Sequence, residues 1–146
     1  MSLPHASNLS EKDIVYFYNL LYLLEVVTKY EGFNVQRIDP NVKKTICFNS
    51  NYGKGEYAPK PSKKNILNFR GKHQKSKHLL KHIRNSFAHG LLESRGSDFY
   101  ILDIPPGKEK VADKEHFATM IGIINKAKFY KMIKAILNTN PLINTI

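Results

Sequence analysis

The chain of 146 residues has a single cysteine, Cys47. That excludes an intrachain disulfide framework and any cysteine-rich zinc site, and it suits a reducing compartment. Long apolar runs are missing too. The longest, residues 14–24, is interrupted by Asn19 and followed by Glu25, too short and too polar to cross a bilayer. The opening MSLPHASNLSEKD places no basic stretch before an apolar one, so no secretory signal is expected. The expected setting is the cytoplasm, with no membrane partner. Several enzyme signatures are absent: G-x-S-x-G, H-E-x-x-H, and a phosphate loop around Gly53-Lys54-Gly55.

The most informative absence is acidic charge. No Asp or Glu stands between Glu56 and Glu93, while Lys60, Lys63, Lys64, Arg70, Lys72, Lys75, Lys77, Lys81 and Arg84 do. The net charge is +11, and four of the six histidines share this window. Such a field attracts a polyanion, whether RNA, DNA, anionic lipid or an acidic protein, or it only solubilises the surface.

What is present is globular. Apolar residues make up 42% of the chain, which fits a single domain over residues 1–146 with its core at about 10–138. Ser10 followed by Asp13 starts a helix in the manner of a capping box, and Ile14, Phe17, Leu21, Leu24 and Val27 give it an apolar stripe. Gly32 is expected to end it. A second stripe begins near Asp113 and runs through Phe117, Met120, Ile121, Ile124, Phe129, Ile133 and Leu137, with Pro141 as its stop. Residues 75–91 form a third helix. The pieces between are weaker: 45–48 as a strand or helix fragment, 51–64 as a loop, 62–69 as a short helix. Residues 98–107 alternate and read as a strand, pairing with 91–93 in a small hairpin. Together these predict a mainly α fold, a helical bundle with a small β-hairpin or strand insertion after the third helix.

That helix carries HIRNSFAHG at 82–90. On a helical wheel His82, Asn85 and His89 fall within about 40° of His78. Leu79, Leu80, Ile83, Phe87 and Leu91 centre roughly 170° away, so the polar strip faces solvent, a cleft or a second subunit. Arg84 lies about 140° around from His89. Either the helix loosens near Gly90 or the two cooperate across a dimer. Gly90 is placed to cap the helix, which puts His89 in its last turn.

Histidine moves protons near neutral pH, arginine presents a fork that matches phosphate oxygens, and asparagine orients either. Together they suit attack on a phosphodiester by its own ribose 2′-OH, with no metal required. His78 and His82, with His89, offer zinc a weaker site, because no carboxylate lies in the window.

Arg84-Asn85-Ser86-Phe87-Ala88-His89 resembles the R-x4-6-H motif of HEPN domains, in the form where asparagine follows arginine. The order of elements is similar as well, over about residues 10–138, although only the motif is specific. The resemblance implies an HEPN-like helical bundle, dimeric through its motif helices. It also implies a metal-independent endoribonuclease with no cofactor, of a toxin–antitoxin or phage-defence system. Arg84 would then bind the scissile phosphate. His89 would move a proton to or from the 2′-OH or the 5′-O leaving group, and Asn85 would position either. The products would be a 2′,3′-cyclic phosphate and a 5′-hydroxyl. Lys77, His78, Lys81 and His82 are the expected RNA contacts, and an antitoxin protein is a further expected partner. The basic loop region 51–75 departs from simpler members. Two other readings stand beside this one: a non-catalytic HEPN-like module that binds RNA, a nucleotide or a partner protein, and an interaction protein whose polar strip is only a dimer seam.

Overall fold

Ser10 begins the first helix as its sequence suggests. Its hydroxyl oxygen accepts the Asp13 N–H at 3.1 Å, and α1 runs over Glu11–Val27. The computed structural model describes residues 8–27, 38–52, 55–71 and 75–138. Gly32, Lys72, His73 and Pro141 lie outside them. After α1 come a one-turn α2 (Pro40–Lys43), β1 (Cys47–Tyr52), β2 (Ile66–Arg70) and α3 (Ser76–Ala88). The hairpin of β3 (Leu92–Arg95) and β4 (Asp98–Asp103) follows, then β5 (Met120–Asn125) and α4 (Lys126–Asn138).

The five strands form one mixed sheet in the order β1-β2-β5-β4-β3. Only β1 and β2 pair in parallel; the other neighbours are antiparallel. The expected helical bundle is therefore overturned: this is an α/β fold, and the sheet is its spine rather than an insertion. The hairpin after the motif helix is present, but it forms one edge of the larger sheet.

The main error lies at 113–125. Its apolar residues repeat at helical spacing, yet Lys114–Phe117 makes a single 3-10 turn and Met120–Asn125 is a strand. β5 lies between β2 and β4 with both faces covered, so its residues are apolar in succession and the period of two is erased. Gly122 belongs there because a Cβ at that position would stand 2.4 Å from the Ile66 carbonyl oxygen on β2. Residues 62–69, read as a short helix, instead lead into β2.

Alternation sorts the side chains. Phe99, Ile101, Leu67, Phe69, Met120 and Ile124 join the core shared with α1, α3 and α4. Phe17 of α1 is at its centre, with ring centroids 5.1 Å from Phe87, 5.4 Å from Phe99 and 5.6 Å from Phe129. Tyr100, Leu102 and Ile121 point to the opposite face, where the smaller core with Ala58, Ile104 and Ala118 lies.

Candidate functional site

α3 buries Leu79, Leu80, Ile83 and Phe87, the side the wheel assigns to the core. Ser86 is buried as well, and its hydroxyl oxygen accepts the Leu102 N–H of β4 at 3.3 Å. These contacts fix the helix on the sheet and leave Ala88 and His89 at the surface.

The helix ends in a Schellman motif. Gly90 N–H donates to the Phe87 carbonyl at 3.1 Å, and Leu91 N–H to the Ser86 carbonyl at 2.8 Å. Gly90 supplies the positive φ of 70° that this geometry needs. His89 is held at the C-cap with an exposed ring, and among the described residues that ring has no hydrogen-bond partner.

Arg84 is partly exposed and reaches sideways. Its Nη1 donates to Glu25 Oε1 of α1 at 2.9 Å, and its Nη2 makes a long contact of 3.4 Å to Asn85 Oδ1. Asn85 lies one turn before His89, to whose N–H its carbonyl is bonded at 2.9 Å. The asparagine thus stands between the arginine and the histidine, and the guanidinium turns partly back toward the polar strip. Among the described residues no bond joins Arg84 to His89.

The other strip residues separate into different environments. His82 is not open to solvent. Its Nδ1 lies 2.7 Å from Asp103 Oδ2 at the end of β4, and its Nε2 lies 2.7 Å from the Arg70 carbonyl oxygen at the end of β2. Thr119 donates to the same carboxylate oxygen at 3.1 Å. His82 and Asp103 are 14% and 5% exposed, so both ring nitrogens are committed inside the protein. This histidine bolts α3 to two strand ends and leaves no lone pair for a substrate. His78 is half-buried against Gly71, where a Cβ would stand 2.8 Å from the imidazole. Burial first, then the charges of Lys77, His82, Lys75 and Lys81, hold its pKa below the ordinary histidine value. Lys77 is half-buried and Lys81 exposed. Among the described residues no group of three or more His, Cys, Asp or Glu side chains could hold a metal ion, so His78, His82 and His89 are not brought together.

Glu25, Asp103 and Thr119 are the residues that sequence reasoning missed. Each meets its partner through tertiary packing, and nothing local marks them. No protein-family model matches the chain, and neither a curated protein nor a solved structure does. Among the described residues no helix is long and apolar enough to cross a membrane.

Proposed function

We propose that the chain is a metal-independent endoribonuclease, acting in the cytoplasm as a homodimer, with Arg84, Asn85 and His89 as its working residues. One observation carries the reading: an exposed imidazole with no hydrogen-bond partner among the described residues is held at a capped helix end, one turn beyond an asparagine that engages the neighbouring arginine. The proposal takes its chemistry from the HEPN-type motif and does not require the bundle. A role in toxin–antitoxin or phage defence, with an antitoxin protein as partner, rests on that motif alone.

In this mechanism His89 removes the proton from a ribose 2′-OH, and the 2′-oxygen attacks the adjacent phosphorus. Arg84 neutralises the charge that develops on the non-bridging oxygens. The 5′-oxygen leaves and takes a proton from water, and the imidazolium returns its own to solvent. A 2′,3′-cyclic phosphate and a 5′-hydroxyl remain. Glu25 does not block this. Its bridge to Arg84 is on the surface, with side chains 56% and 29% exposed, and such pairs are weak enough for a phosphate to displace. That same bridge is the observation that favours the second reading, an RNA-binding module in which Arg84 is engaged and no cleavage follows.

Incubating the purified protein with RNA in excess EDTA separates the two. Cleavage should persist, leave cyclic phosphate ends, and fall by about 100-fold or more in His89→Ala and in Arg84→Ala. Undiminished cleavage in both variants would sink the proposal. Salt-sensitive RNA binding without cyclic phosphate products would assign the binding module.

A further inference from the structure

The basic segment between Glu56 and Glu93 has a counterpart on the sheet face turned away from the helices. There the loop bearing Lys60, Lys63 and Lys64 borders a cleft of about 370 Å³, with Tyr100, Ile121 and Ile123 of the sheet in its lining. Lys60 also lines a second hollow, of about 670 Å³, together with Tyr57. Tyr100 in turn borders a third, of about 190 Å³, whose lining includes Gly90 next to His89. Shared lining residues thus connect the end of α3 to the lysines.

The cleft has the size of a small-ligand pocket, with apolar walls and a few polar groups. Tyr100 is 4% exposed, and burial first, then a hydrogen bond with Glu115, holds its pKa above the ordinary tyrosine value. Tyr57 is 40% exposed; Phe117 packs against it edge-on at 5.4 Å, and the Arg70 guanidinium lies 5.4 Å from its ring centre. Such a ring is braced, yet open enough for a planar group to stack on it. Lys63 has no ionic partner among the described residues. Lys60 meets Glu115 at 3.7 Å, with both side chains about half exposed. Lys64 meets Asp98, the carboxylate of the cleft, at 2.9 Å. Around the two hollows Lys60, Lys63, Lys64 and Lys114 stand against Asp98, Asp113 and Glu115, an excess of one positive charge.

We propose that this face seats single-stranded RNA, with successive nucleotide units in the two hollows on either side of Lys60. Phosphates meet Lys60 and Lys63, and one base stacks on Tyr57. A cationic groove with an aromatic platform is the general chemistry of single-strand binding. The choice of RNA rests on the function proposed above; the nucleotide chemistry does not, and a free mononucleotide would share it.

Fluorescence anisotropy with a labelled single-stranded RNA of about 12 nucleotides tests this on the full chain carrying His89→Ala. Adding Lys60→Ala with Lys63→Ala should weaken binding about tenfold or more, and lower the slope of log K against log salt by about 1.4, or 0.7 for each phosphate contact. Adding Tyr57→Ala should weaken binding about fivefold or more and leave that slope unchanged. Unchanged binding in both variants overturns the proposal. AMP held at these lysines with no retention of RNA overturns the strand in favour of the free nucleotide. The two readings fail separately. If lysine and tyrosine variants with His89 intact bind and cut RNA as the parent does, cleavage stands and the cleft falls. If the lysine variant releases RNA while His89→Ala still cuts, the cleft stands and the cleavage reading falls.

Discussion

His82 and His89 are two turns apart on one helix, yet their surroundings give them opposite work. His82 makes contacts of 2.7 Å at both ring nitrogens, to a buried carboxylate and to a backbone carbonyl. Removing the ring takes from the Asp103 carboxylate its contact with His82, keeps the Thr119 hydroxyl there, and leaves the Arg70 carbonyl without this donor. A buried group abandoned in this way costs its desolvation as well as the lost bond. His82→Ala should therefore destabilise the protein by about 2–3 kcal/mol, whereas His89→Ala, at an exposed and unpartnered position, should stay within about 0.5 kcal/mol. Urea unfolding of the two variants checks this. Equal losses would show that the helix end is structural after all. Sequence placed both histidines on one polar strip and gave both to RNA. Asp103 and Thr119, which separate them, lie 21 and 37 positions from His82 and are brought in by the sheet.

The elements are held together by polar ties of the same kind. Asp13 of α1, 5% exposed, accepts from Lys126 Nζ at 3.2 Å and from the Tyr130 hydroxyl, both on α4. Burial pushes the Asp13 carboxyl up, but the bonds from Tyr130, Lys126 and Ser10 outweigh it and leave its pKa below the ordinary 3.8. A carboxylate depressed in the folded state adds stability above its unfolded pKa and loses it as pH falls through the lowered folded value. Asp13→Asn should thus cost about 1–2 kcal/mol near neutral pH, and the gap from the parent should close toward pH 2. Urea titrations at the two pH values measure it; a gap that stays constant would mean charge is not what binds the helices. The start of α1, the buried side of α3, the Gly90 cap and the β3–β4 hairpin were all legible, because each depends on residues a few positions apart. β2 and β5 were not, and β1 was legible only as a strand or helix fragment at 45–48. Interior strands covered on both faces lose alternation, and in 113–125 the apolar spacing imitates a helix.

At the scale of the whole molecule the proposed homodimer would answer the arrangement of Arg84. The wheel separated it from His89, and in the structure its guanidinium bridges Glu25 and Asn85 without reaching that ring. A two-fold pairing of motif helices would bring the arginine of one copy to the histidine of the other. Mixing two inactive variants tests this directly. Arg84→Ala and His89→Ala are each expected to be inert alone. If each site draws its arginine from one chain and its histidine from the other, a heterodimer has one intact site and one site lacking both groups. At equal mixing half the dimers are heterodimers, so activity should return to about a quarter of the parent value. If each chain builds its own site, every site in the mixture lacks one group and no activity returns. Recovery after co-refolding, measured as cyclic phosphate released in EDTA, decides between a shared site and two separate ones.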